Sequence, residues 1–186
     1  MNLRIADCRR FSSPQTLLRP PCIRCVCAFL AFFLCSIACA ADLPDPRLTP
    51  GARDMAVDQS NIGRTICRRG YAQSVRPPRA YTDGLKREQI HQYRYPARDP
   101  RLYEEDHLIP LSLGGNPTDR RNLWPEPRRG AWNAARKDEL EFVLYRMVCG
   151  RRVSLAQAQR EIASDWIEAW KRYVPVAPRG WLRTQH

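Results

Sequence analysis

Hydrophobic and polar positions change period several times along this chain, and each change marks an element. Val26 to Ala38 (V-C-A-F-L-A-F-F-L-C-S-I-A) is apolar almost throughout, yet short for a membrane span. Val57 to Cys67 forms a first ordered segment that closes on the apolar Thr65-Ile66-Cys67. From Gly70-Tyr71 to Pro77-Pro78 we expect extended or turn-like backbone, because a residue before proline is pushed out of the helical region. Thr82 is a candidate cap for a short helix running to about Gln92, with Leu85 and Ile90 facing inward. Arg101 to Leu113 is strand-like, with Pro110 interrupting its ladder. Gly114-Gly115-Asn116-Pro117 then supplies turn residues, and Asn122-Leu123-Trp124 brings the chain back as a second strand closed by Pro125-Glu126-Pro127.

The period then becomes helical. Leu140, Val143 or Leu144, and Met147 or Val148 predict a helix from about Asn133 to Cys149, with Gly150 placed to terminate it. Ser154-x-x-Gln157 has capping-box form and opens a final helix. Its apolar stripe is Leu155, Ala158, Ile162, Trp166, Trp170 and Tyr173, ending at Pro175. The tryptophans in that stripe read as core. Tyr93, Tyr95 and Tyr103 bracket Pro96 and Pro100 in an arginine-bearing loop, where they pack beneath the prolines or stack bases. No internal repeat or second domain is visible. The fold class this predicts is α+β, a small domain with helices around a two-stranded unit.

The chain of 186 residues divides into residues 1–40 as a signal peptide, 41–56 as a flexible lead-in, 57–175 as one domain and 176–186 as a tail. The leader carries Arg4, Arg9, Arg10, Arg19 and Arg24 before the apolar run, and Ala38-Cys39-Ala40 gives an A-x-A cleavage signature. The expected destination is periplasmic or secreted, with no integral membrane segment once the leader is removed. Ser36-Ile37-Ala38-Cys39 faintly resembles a lipobox, so lipid anchoring at Cys39 is the minor alternative.

Cleavage changes the cysteine count. Six of eight cysteines (Cys8, Cys22, Cys25, Cys27, Cys35, Cys39) fall in the leader, which leaves Cys67 and Cys149. In an oxidising compartment two remaining cysteines suggest one disulfide, against the alternative of two buried thiols. It changes the charge less. Losing five arginines and Asp7 leaves 26 basic and 18 acidic residues, a net charge of +8. Excess arginine suits phosphate oxygens, and basicity of this size fits a polyanion such as nucleic acid, a solvated surface or an anionic envelope.

The candidate chemistry lies at Asp106-His107. Neighbours on a strand point to opposite faces, so one side chain binds a metal while the other reaches a water. Asn122 returns an amide oxygen from the second strand, and a hard-ligand pair beside an imidazole is a minimal site for a divalent ion and a general base.

The string Tyr103 to Trp124, with D-H-L-I-P-L-S-L-G-G followed by N-L-W-P, resembles the HNH (ββα-metal) endonucleases, closest to an exported bacterial group. T-I-C-x-x-G-Y-x-x-x-x-R-P-P at Thr65 to Pro78 extends the likeness over most of the mature chain. The resemblance implies a ββα-metal core with additional helices, and an enzyme hydrolysing phosphodiester bonds of nucleic acid at low sequence specificity. It implies His107 as general base, Asp106 as carboxylate ligand, and Asn122 as second ligand or as the residue fixing the turn. The cofactor is a divalent metal ion, Mg²⁺ first, with Mn²⁺ as an alternative; Zn²⁺ is disfavoured by the lone histidine near the site. Glu104 is an outer-shell ligand or a surface carboxylate paired with Arg101 or Arg120, and Asn133 assists through water. Arg120, Arg121, Arg128, Arg129 and Arg136 are assigned to the nucleic-acid backbone; Lys137 touches phosphate or ties the helix to the strands. DNA is expected over RNA, and a monomer. One position departs: where relatives carry W-N-A-H-x-K-D, this chain has Ala135 in the histidine's place. The competing expectation is therefore a non-catalytic nucleic-acid-binding protein on a nuclease scaffold.

Overall fold

The computed structural model describes residues 43–178 and 180–182. The signal-peptide assignment and Cys39 lie outside these residues. Two antiparallel strands, β1 (Tyr103–His107) and β2 (Leu123–Pro127), pair from Tyr103 opposite Pro127 to His107 opposite Leu123. Helices α1 (Tyr71–Val75) and α2 (Arg79–Gln92) precede them; α3 (Ala134–Cys149) and α4 (Leu155–Tyr173) follow. The architecture is α+β, as expected. Its main core joins the Trp124 face of the sheet to the last two helices through Leu108, Trp124, Leu140, Leu144, Ile162 and Trp166, each at most 1% exposed, while Tyr103 on the other face packs with Ile90 and Tyr95. Among the described residues no helix is long and apolar enough to cross a membrane.

Strand β1 is shorter than the apolar run suggested. Beyond His107 the chain keeps one ladder bond, Leu108 N–H to the Asn122 carbonyl at 2.8 Å, then turns through Pro110 into a 3-10 turn at Leu111–Leu113. Asn133 caps α3, its Oδ1 accepting from Arg136 N–H at 3.3 Å. Helix α2 begins at Arg79, ahead of Thr82, whose hydroxyl instead bonds the Arg79 carbonyl at 3.0 Å within the helix. Tyr71–Val75 is a helical turn that ends at Arg76, extended at ψ 129° before Pro77, so the proline rule holds only at its last residue.

The last helix is not one rod. Ser154 caps it, accepting from Gln157 N–H at 3.2 Å, but Asp165 takes φ −162°, ψ 94° and breaks it. The Asp165 carboxylate then caps the second half, accepting from Ile167 and Glu168 N–H at 3.0 Å each. The chain doubles back far enough for Gln157 Nε2 to donate to the Tyr173 hydroxyl at 3.2 Å. A buried stripe survives the break because Trp166 and Tyr173 close on the same core.

Residues expected to form a flexible lead-in are ordered and bonded from Leu43 onward. Thr49 is 1% exposed; its hydroxyl donates to the Leu123 carbonyl at 3.1 Å and accepts from Tyr93 at 2.6 Å. Periodicity carries no trace of this segment, since it is held by backbone bonds to a distant turn and by one threonine hydroxyl.

Cys67 and Cys149 form the disulfide, with Cα atoms 5.6 Å apart across 82 positions of sequence. It ties the segment before α1 to the end of α3. Replacing both cysteines by serine should cost about 2–5 kcal/mol in urea denaturation, the range for a native disulfide in a small exported domain. A loss under about 1 kcal/mol would show the bridge to be dispensable.

Candidate active site

The residue after β1 is held by the turn that follows it. Asn122, 0% exposed, accepts at Oδ1 from Ile109 N–H (2.9 Å) and donates through Nδ2 to the carbonyls of Ile109 (2.9 Å) and Asn116 (3.1 Å). Gly115 lies against this clamp: a Cβ there would sit 1.7 Å from the Ile109 carbonyl oxygen and 2.7 Å from Asn122 Nδ2. No side chain fits, which gives the second glycine of G-G its reason. The N-terminal segment straps the turn from outside. Asn116 N–H donates to the Ala52 carbonyl, and the N–H groups of Gly51 and Asp54 donate to the carbonyls of Arg121 and Gly114, each at 2.9 Å. Asn122 therefore fixes the turn, the second of the two roles open to it. Its amide is spent on the backbone, and it does not line the cavity beside His107.

His107 is 2% exposed, and its Nε2 lies 3.0 Å from the Pro117 carbonyl. A carbonyl only accepts, so Nε2 carries the hydrogen and Nδ1 keeps the lone pair. Burial holds the imidazole below its ordinary pKa, although Asp106 and the Pro117 carbonyl pull the other way. His107 lines a small cavity of about 70 Å³ together with Asp106, Arg76, Ser112 and Glu141.

On the opposite face of β1, register places Glu104, Asp106, Trp124 and Glu126 together. Lys137 reaches this face from α3 and is 0% exposed. Its ammonium donates to Asp106 Oδ2 at 2.5 Å, to the His107 carbonyl at 2.8 Å and to Glu141 Oε1, with Glu126 Oε2 3.8 Å away. Burial opposes its charge, yet these carboxylates outweigh burial and raise its pKa well above the ordinary value. Burial likewise disfavours the charged Asp106 carboxylate, but the Lys137 ammonium holds its pKa below the usual range. Burial pushes Glu141 up to about 8 and Glu126 well up, with Lys137 only partly offsetting it. Lys137 is therefore a structural cation that ties the helix to the strands. The assignment to phosphate is corrected, because a side chain with no exposed surface and three carboxylates around it cannot reach a nucleic acid.

Other assignments change for similar reasons. Asn133 is committed as a helix cap, with Nδ2 donating to the Gly130 carbonyl at 3.0 Å, so its water-bridging role lapses. Glu104 pairs with Arg128 at 2.7 Å, where Arg101 or Arg120 had been expected. Arg120 pairs with Glu88 (2.8 Å) and Arg121 with Asp119 (2.7 Å). Arg136 lies 4.8 Å over the Trp170 ring and 3.8 Å from Glu139. All five arginines assigned to backbone contacts are exposed; Arg120, Arg121, Arg128 and Arg136 also make surface ion pairs, and Arg129 makes none among the described residues. Sequence reading missed Glu126, Glu141, Arg76 and Ser112. Glu141 stands at i+4 from Lys137, a spacing that signals an ion pair, and Glu126 faces Glu104 only once the register is known.

Glu105 was also missed. Its carboxylate oxygens are buried with no hydrogen-bond partner, and burial pushes its pKa up to about 8. It lies on the α2 side of the sheet, away from Asp106.

Among the described residues no group of three or more His, Cys, Asp and Glu side chains is arranged to hold a metal ion. Asp106 alone of the expected ligand pair meets the cavity, its side chain 20% exposed there. Mg²⁺ keeps most of its waters and needs only one or two carboxylates plus substrate phosphate, so one partly exposed carboxylate, with Oδ2 bonded to Lys137, fits it. Ala135 is exposed and brings no ligand atom. Comparison with protein-family models, with curated proteins and with solved structures gave no match to this chain.

Proposed function

We propose that this protein is an exported, metal-dependent endonuclease of the HNH type, hydrolysing nucleic-acid phosphodiesters with low sequence specificity. The observation that carries the reading is that His107, its ring fixed by the Pro117 carbonyl with Nδ1 left basic, lines one cavity with Asp106. The strand–turn–strand–helix order from Tyr103 to Cys149 supports a ββα-metal core. Bound at Asp106, the ion would supply charge relief at phosphorus and help for the leaving oxygen. Asp106 would hold it, oriented by the Lys137 ammonium on its other side. His107 Nδ1 takes a proton from water as the water oxygen attacks phosphorus. The P–O3′ bond breaks, leaving a 5′ phosphate and a 3′ oxygen that is protonated from solvent. The depressed imidazole pKa keeps the base free at neutral pH. The disulfide fits an oxidising compartment outside the cytoplasm.

Ala135 favours a second reading, a protein that binds nucleic acid without cleaving it. One gel separates the two. Oxidised mature protein is incubated with plasmid DNA and with RNA across Mg²⁺, Mn²⁺ and Zn²⁺. Nicking in Mg²⁺ that EDTA abolishes is the expected result, with DNA cut in preference to RNA. Salt-sensitive binding with no cleavage in any ion would overturn the enzyme.

A further inference from the structure

The arginines clustered around the catalytic string in sequence are mostly spent on neighbouring carboxylates. Three arginines far upstream are not. Arg76 lines the cavity with His107 and Asp106, and Arg68 and Arg69 line the adjoining cavity of about 280 Å³, which meets the first at Ala72 and Ser112. Among the described residues none of the three takes part in a salt bridge. We infer that Arg68, Arg69 and Arg76 form the surface that grips the substrate backbone, with Arg76 against the phosphate that is cut. This rests on the nuclease reading above and names the residues that bind the strand.

The backbone presents these side chains rigidly. Gly70 takes φ 81°, a left-handed conformation, and so turns Arg68-Arg69 into α1. At the other end Pro77 holds Arg76 extended where the helix ends. The disulfide at Cys67, next to Arg68, fastens the start of the segment to α3, and Tyr145 of α3 lines the same cavity. A wall of arginines is therefore anchored at both ends beside the base. Asp138 and Glu141 line a further cavity that shares Ser112 and Tyr145 with the cavity of Arg68 and Arg69. A polyanion drawn to the three arginines passes Ser112, which both of their cavities share. Guanidinium forks suit phosphate oxygens along that path.

The test uses the oxidised mature protein and a fluorescein-labelled DNA duplex, with anisotropy read against salt and plasmid nicking read in parallel. Arg68→Gln with Arg69→Gln should raise Kd at least tenfold and lower the salt slope by about 1.8, close to 0.9 for each phosphate no longer neutralised. Arg76→Gln should cut kcat at least thirtyfold while changing KM little, and Arg76→Lys should restore part of it. The control pair, Arg120→Gln with Arg121→Gln, should bind within twofold of wild type. Wild-type binding and cleavage by the three upstream variants, or a larger loss in the control pair, would overturn the assignment and leave the nuclease intact. No binding by the wild-type protein would overturn both. Disulfide content and far-UV circular dichroism report whether each variant is folded, and an unfolded Arg76→Gln is replaced by Arg76→Met.

Discussion

Lys137→Met will destabilise the folded protein by about 3–5 kcal/mol at pH 7, the range for removing one partner of a buried ion pair. The lysine is 0% exposed, and methionine fills its volume without its charge. Asp106, Glu141 and Glu126 would then share one buried face of the sheet with no cation among them. Their mutual repulsion and desolvation raise their pKa values above those of the unfolded chain. A carboxyl with a raised folded pKa keeps its stability below the unfolded value, near pH 4, and loses it as pH rises. The deficit of the variant should therefore shrink as pH falls from 7 toward 4.5. Urea denaturation at several pH values measures it. A deficit that grew toward low pH, or one below about 1 kcal/mol at pH 7, would show that the ammonium does not neutralise this cluster.

That cluster shows how far the sequence could be followed. Helix α3 was legible from Leu140, Val143 and Leu144 because burial on one face leaves a 3.6-residue period. The Asp106-His107 pair was legible because adjacent strand residues must point apart. The turn was legible in outline from its glycines, but the role of Asn122 was not, since its amide is buried only after strand β2 and the N-terminal strap close around it. Residue type gave Asn122 two roles, and burial chose between them. Lys137 misled for a related reason. A lysine on a basic protein reads as a phosphate contact, whereas three carboxylates from two strands and its own helix converge on it only in the fold. The arginines follow the same rule. Asp119 lies two residues from Arg121, so proximity in sequence supplied partners as readily as charge, and the arginines at the cavity come from far upstream. The break at Asp165 left no mark because the apolar stripe continues through it. An aspartate two and three residues before its bonded N–H groups is a cap signature, and it was hidden inside a run that looked continuous.

His107→Ala will lower the rate of phosphodiester cleavage by a factor of about 10²–10⁴, the contribution of one positioned general base, while DNA binding stays within a few fold of wild type. The separation follows from placement: His107 is 2% exposed, so it offers little surface to a strand lying over the cavity. Its pH dependence carries a sign. Burial lowers the imidazole pKa, so the base remains deprotonated below the ordinary value of 6.5. In wild-type protein the midpoint of the acid limb of kcat/KM should therefore fall below pH 6.5. In His107→Ala that limb should vanish, and added imidazole should restore part of the rate. The environment that lowers the pKa also sets the tautomer: the Pro117 carbonyl holds the hydrogen on Nε2. Nicking by His107→Ala at the wild-type rate, or an acid limb above pH 6.5 in the wild type, would remove His107 as the base.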